Sequence, residues 1–146
     1  MNLLFGHDKT VAEWVAKQAN SKPPVDPYTA FGFVSADGRL TGGAVFTGYN
    51  GDTVELSLAG RAMATRGAWA AIVSYAFEQL KCQRLQMHIS RRNRRVLRML
   101  AGRRGRNSGL GVHYEGIARR FFGKDDGVLY SLTTDDLPAF RARWKI

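Results

Sequence analysis

Cysteine occurs once in the 146 residues, as Cys82, so no internal disulfide can form and cysteines alone cannot hold a metal. Histidine is nearly as scarce. His7, His88 and His113 are scattered without the spacing that zinc ligands need. No apolar run approaches the ~18 residues of a membrane span. The opening Met1-Asn2-Leu3-Leu4-Phe5-Gly6-His7-Asp8 has no basic segment followed by a long apolar stretch, and is not expected to be a secretory signal. Repeats and low-complexity tracts are lacking too. The breaker-rich Lys22-Pro23-Pro24-Val25-Asp26-Pro27 is too short for a linker and is expected to cross one edge of a domain. At ~100–200 residues per domain, residues 1–146 are expected to form one. With 45% hydrophobic and 23% charged residues, the composition is globular and argues against disorder.

Acidic residues are missing from one stretch in particular. Residues 1–80 and 125–146 each carry a net charge of −1, whereas 81–124 hold thirteen basic residues against Glu115 alone, a net of +12. The densest part contains Arg91, Arg92, Arg94, Arg95, Arg98, Arg103, Arg104 and Arg106. Such a cluster implies an anionic partner, or else a solvated helix face. Its preference for arginine over lysine leans toward bidentate phosphate contacts.

Hydrophobic periodicity gives the elements. Residues 1–6 read as a first strand. Asp8 is expected to cap a helix running to about Asn20, with Val11, Trp14, Val15 and Gln18 at helical spacing. Three strands follow over 28–36, 39–49 and 52–59, separated by Asp37-Gly38 and Asn50-Gly51 turns. Trp69, Ile72, Val73, Ala76, Phe77 and Leu80 predict one continuous helix over 66–81. Residues 84–90 alternate as a strand, with His88 on its polar side. A helix over 93–101 buries Val96, Leu97 and Leu100, and a basic glycine-rich loop spans 102–111. Two strands over 113–122 and 127–133 precede a tail, 137–146, that is a short helix or arm. The helix linking strand 52–59 to strand 84–90 is a crossover, which makes those strands parallel neighbours. In a mostly antiparallel sheet such neighbours can diverge at one end and open a cleft floored by backbone groups.

The order of these elements resembles the GNAT N-acetyltransferases, and the small bacteriophage-encoded members most of all. The residues that carry the likeness are Phe5-Gly6-His7-Asp8 with Val11-Ala12-Glu13-Trp14-Val15-Ala16, Val54-Glu55-Leu56-Ser57-Leu58-Ala59, Thr65-Arg66, and Tyr75-Ala76-Phe77-Glu78-Gln79-Leu80. Toward the C-terminus they are Asn93-Arg94-Arg95, Tyr114-Glu115-Gly116-Ile117-Ala118-Arg119-Arg120, Asp125-Asp126-Gly127-Val128-Leu129-Tyr130 and Arg143-Trp144. The resemblance implies an α/β fold: a mixed, mostly antiparallel sheet with helices on both faces and a cleft between two splayed parallel central strands. It also implies direct transfer of acetyl from acetyl-CoA to an amine.

On this likeness Leu56, Ser57 and Leu58 would offer backbone groups to pantetheine and to the thioester carbonyl. The loop carrying Arg61, Thr65, Arg66 and Gly67 would meet the pyrophosphate at a helix N-terminus. That loop departs from the family's glycine pattern, having only Gly60 and Gly67, and Arg61 and Arg66 could compensate with charge. Asn93 would bond the pantetheine amide or cap its helix. A free amine titrates near ~10.4, so a base is needed at neutral pH. Glu55, on the polar face of its strand, is the candidate, a salt-bridged surface role being the alternative. The tyrosine and serine that relatives carry on the helix after the fifth strand are replaced by Leu100 and Val96, which leaves Tyr130, Tyr114 or water as the acid. Cys82 has no activating neighbour beyond Lys81. One ring of Phe121-Phe122 is expected in the core and the other at an edge.

The acceptor is expected to be acidic: a protein, a nucleotide-linked amine or nucleic acid. It would be engaged through Arg91, Arg92, Arg95, Arg103, Arg104 and Arg106, while Arg66 and Arg61 serve the cofactor. Two rival readings are a nucleic-acid-binding module built on the Arg91–Arg106 cluster and a structural or interaction protein that kept the fold without catalysis. The expected setting is the cytoplasm of a bacterial host cell, or the virion.

Overall fold

Alternating burial along the central strands organises the computed structural model, which describes residues 2–101 and 111–146. Most of the expected glycine-rich loop, with Arg103, Arg104 and Arg106, lies outside the described residues. The elements are β1 (Asn2–Leu4), α1 (Asp8–Gln18), β2 (Tyr28–Val34), β3 (Leu40–Thr47), β4 (Thr53–Ala59), α2 (Arg66–Val73), β5 (Arg84–Ser90), α3 (Arg94–Ala101), β6 (His113–Phe122), β7 (Asp125–Thr133) and α4 (Leu137–Trp144). A 3-10 turn over Arg61–Ala64 leads into α2, and a π-helical turn over Ser74–Gln79 extends it.

The strands form one sheet in the order β1-β2-β3-β4-β5-β7-β6. Every neighbour is antiparallel except β4 and β5, the pair joined by the α2 crossover. On one face Val54, Leu56, Leu85, Met87, Tyr130 and Leu132 pack beneath Trp69 and Ile72 of α2, Leu100 of α3 and Phe140 of α4. On the other face Val11, Ala12 and Val15 of α1 cover Ala30, Val45 and Ala59. This is the mixed, mostly antiparallel sheet with helices on both faces. No helix among the described residues is long and apolar enough to cross a membrane.

The parallel pairing is short. Its register runs Thr53↔Arg84, Val54↔Leu85 and Glu55↔Gln86, and no further. Beyond that point β4 stays paired with β3 and β5 with β7, so the two strands splay apart. The facing backbone edges of Leu56–Leu58 and of Met87–Ile89 border a gap in place of a ladder.

Three local expectations are corrected. Asp8 is not the cap of α1: His7 holds that position, and the Asp8 carboxylate accepts from the Ala30 amide of β2 at 2.9 Å. A bond to a neighbouring strand ties the helix to the sheet, which a local cap would not do. The single helix over 66–81 is instead α2 plus the π turn. The wider turn keeps Ala76 and Phe77 buried and leaves Leu80 half-buried, its carbonyl accepting from the Tyr49 hydroxyl at 2.9 Å. β7 begins at Asp125, because Phe122 pairs with Asp125 across a tight Gly123-Lys124 turn.

Candidate active site

Strand parity puts Glu55 of β4 and Gln86 and His88 of β5 on the α1 face of the sheet, where the two strands part. The Glu55 carboxylate accepts from Gln86 Nε2 and from the His88 backbone amide, each at 3.0 Å. It also lies 3.0 Å from Nδ1 of the His88 ring. A carboxylate only accepts, so the facing Nδ1 carries a proton, which in the one-proton form of the ring leaves Nε2 as an acceptor. The ring is clamped from outside by Phe121, stacked at 3.9 Å between centroids and 8° between planes.

The support extends across the sheet. Gln86 Oε1 accepts from Arg84 Nε at 2.8 Å, and Arg84 grips Glu115 of β6 with both terminal nitrogens at 2.7 and 3.1 Å. The Arg84 hydrogen bond, helped by Ser131, holds the Glu115 carboxyl below its ordinary range. A chain of polar contacts thus runs from β6 to the imidazole and fixes its rotamer.

Three cavities, linked by shared lining residues, run outward from this pair. The central one, about 480 Å³, lies between the splayed strands and is lined by Ser57, Leu58, His88, Ser90 and Asn93. A second, about 310 Å³, shares Ser57, His88 and Phe122 and adds Glu55, Lys22 and Phe121. A third, about 260 Å³, shares Asn93 and continues past Gly60, Arg61, Ala64 and Arg95. Gly60 makes the bend at the end of β4 with φ +99°, and a Cβ there would sit 2.4 Å from the Thr41 carbonyl oxygen. Only glycine fits this turn.

The remaining predicted site residues divide by position. Leu56 buries its side chain in the core and presents only backbone to the gap, while Ser57 is exposed to both larger cavities. Arg61 lines the third cavity. The Thr65 hydroxyl caps α2, accepting from the Ala68 amide at 3.3 Å and donating to the Ala62 carbonyl at 2.6 Å. Arg66 and Gly67 are exposed in the first turn of α2, where backbone amides have no carbonyl within the helix. Asn93 accepts from the Val96 amide at 3.3 Å, so its carbonyl oxygen caps α3 while the residue still borders two cavities.

Several expectations change. Tyr130 is 2% exposed, packs edge-to-face on Tyr114 and belongs to the core beneath α2. Alternation along β7 therefore puts it on the face opposite Glu55, and it lines none of these cavities. Arg95 does not share the outward patch with Arg91 and Arg92 but faces the cavity of Gly60 and Arg61. Neither Phe121 nor Phe122 is core: Phe121 is 50% exposed over His88, and Phe122 borders the two larger cavities. Cys82 is buried, and desolvation, with Asp52 adding to it, holds its thiol above the ordinary range. His113 pairs with Asp136 at 2.8 Å, away from the cleft. From the sequence His88 is a polar-face strand residue with only a minor claim on the cleft, and it is not among the candidate site residues. Its polar-face parity matched that of Glu55, but only the parallel register brings the two together.

No family model matches the chain, and no curated protein matches it. Solved structures do. A T. thermophilus protein provisionally assigned as an acetyltransferase superposes with TM-score 0.69 at 21% identity, over 83% of this chain and 66% of its own. This chain therefore spans just under two thirds of that protein's length. The spermidine N-acetyltransferase from Vibrio cholerae, in complex with CoA and spermine, superposes with TM-score 0.64 at 13% identity, over 89% of this chain and 88% of its own. The Campylobacter jejuni N-acetyltransferase PseH gives 0.55 at 16%, over 75% and 70%. The fold is that of the GNAT acetyltransferases.

Proposed function

We propose that this chain is an acetyl-CoA-dependent N-acetyltransferase that moves acetyl directly to an amine. The observation that carries the reading is the Glu55–His88 pair, held at the fork of β4 and β5 and facing two connected cavities. Its residues fit the cofactor. The unpaired β4 edge at Leu56–Leu58 can take pantetheine as a strand takes a partner, and Asn93 borders the same cavity. Arg61 and Arg95 flank the narrow extension past Gly60, the place for phosphates, and Arg66 and Gly67 follow in the exposed first turn of α2. When bound, acetyl-CoA supplies the activated acetyl group.

The chain's own residues do the proton work. Nε2 of His88 takes a proton from the acceptor ammonium, so that a neutral nitrogen faces the cleft. Glu55 holds the ring through Nδ1 and stabilises the imidazolium that forms, with Gln86 keeping the carboxylate in place. Val96 and Leu100 are buried and carry no acidic group, so His88 would be the residue to hand the proton it took from the ammonium to the leaving thiolate, the second nitrogen proton passing to water. The likeness to phage-encoded members rests on the sequence.

Ligand linkage tests the reading. At ~100 times its dissociation constant acetyl-CoA stabilises the fold by ~2.7 kcal/mol, which raises the melting temperature by several degrees. A melting curve that millimolar acetyl-CoA leaves in place would overturn the transferase reading in favour of a structural or nucleic-acid-binding protein.

A further inference from the structure

Resting on that reading, we infer that the acceptor is a phosphate-bearing amine whose phosphate is held in a basic basin beside the cleft. The basin, about 730 Å³ and open, lies between the start of α3 and the β6–β7 turn. Its walls bring five cations, Arg91, Arg92, Arg94, Arg120 and Lys124, against two carboxylates, Asp125 and Asp126. Arg92 Nε bonds Asp125 at 2.7 Å, and Arg91 lies 3.6 Å from Asp126. Those two pairs build the frame. The side chains of Arg94, Arg120 and Lys124 have no acidic partner among the described residues.

The basin is joined to the chemistry. Arg92, Lys124 and Asp125 line both it and the central cavity, which in turn reaches His88. It shares no residue with the Gly60–Arg61–Arg95 cavity assigned to the cofactor phosphates, so the two anion-holding regions are separate. Guanidinium forks match phosphate oxygens bidentately, and three uncompensated cations suit a dianion better than a single carboxylate.

The second cavity, which holds Glu55 and is the place for the acceptor's amine, argues in the same direction. Glu55 is its only carboxylate among the described residues, and both its oxygens are engaged by Gln86 and His88. A polyamine would find no free acid there and would meet repulsion at the basin. A molecule with one amine and a phosphate at the other end would set its phosphate against the unpaired cations of the basin and its amine toward His88.

Acetylation rates with aminoethyl, aminopropyl and aminopentyl phosphates, compared with the matching amino alcohols and with spermidine, decide the matter. The phosphate of best length should exceed its alcohol at least about tenfold in kcat/KM, the equivalent of ~1.4 kcal/mol. Arg120→Ser combined with Lys124→Ser should bring that ratio toward one. Calorimetric titration of the same phosphate into CoA-saturated protein should show binding that the double variant loses. Acetyl-CoA binding with equal turnover of phosphates and alcohols would overturn this inference and leave the transferase reading standing. Absence of acetyl-CoA binding would remove the transferase reading itself, and this inference with it. Tight duplex DNA binding that the double variant abolishes, with no binding of aminoalkyl phosphates, would reassign the basin to nucleic acid.

Discussion

The indole Nε1 of Trp69 donates to the backbone carbonyl of Met63 at 2.7 Å, and both residues are fully buried. This bond ties the 3-10 turn that follows β4 to the helix behind it. Trp69→Phe leaves the carbonyl without its donor, at about 1–3 kcal/mol, and opens a small cavity besides. Urea unfolding should show that loss. Acetyl-CoA affinity should fall as well, because Arg61 rides on the same turn. A variant of unchanged midpoint would show that the turn is held by other contacts.

Gly60→Ala should be more damaging than its single methyl suggests. The residue has φ +99°, and the new Cβ would meet the Thr41 carbonyl at 2.4 Å. Backbone strain of this kind costs about 1–3 kcal/mol, and relief requires the end of β4 to move away from β3. Thermal melting measures the first effect and acetyl-CoA titration the second. An alanine variant that melts and binds as the parent does would mean the bend relaxes freely.

Glu55→Gln and His88→Ala should each lower kcat/KM by about 10²–10⁴ while leaving CoA affinity within a few-fold. Because the carboxylate acts through the imidazole, the double variant should be little worse than the more severe single one. Initial rates across the pH range provide the comparison. Additive losses would separate the two residues. A Glu55→Gln enzyme with the parental rate and pH profile would return Glu55 to a purely structural place in the sheet.

Acid should weaken the Glu115–Arg84 clamp. The hydrogen bond from Arg84 keeps the Glu115 carboxyl lower in the fold than in the unfolded chain. Its stabilising contribution is therefore present above the unfolded value, near ~4.3, and is lost as the pH falls through the folded value. Glu115→Gln should be less stable than the parent at neutral pH, and the gap should close on acidification. Parallel melting-temperature profiles down to strong acid would show that the pair contributes nothing.

Periodicity made most elements legible. The alternation of Leu85, Met87 and Ile89 marked β5 at its observed bounds, and β6 was likewise read to the residue. The π turn was not legible, because its apolar positions fit an ordinary helix equally well and the difference lies in the Leu80 amide donating back to the Tyr75 carbonyl, five residues before it. At the site, Glu55 stood out by its place in the strand. His88 did not, since a histidine on a polar face acquires meaning only when a neighbouring strand puts a carboxylate beside it. Tyr130 was misplaced for the converse reason: parity within β7 was readable, but which face β7 shared with Glu55 depended on pairing across β5. The separation of Arg95 from Arg91 and Arg92 has a similar cause, for the adjacent Arg94 and Arg95 on a short helix line different cavities.

The brief register between β4 and β5 makes the sheet two panels sewn together by a narrow seam. β2 to β4 lie under α1, β5 and β6 carry Gln86 and Phe121 beside His88, and three residue pairs stitch the two panels along the sheet. In the proposed reaction, pantetheine lying along Leu56–Leu58 would act as a missing strand and close the open end. Loading would then also finish the architecture, stiffening the panel that carries Glu55 against the one that carries His88. Amide exchange at Leu56–Leu58 and Met87–Ile89 would slow together, because both edges would lose their solvent to the same guest.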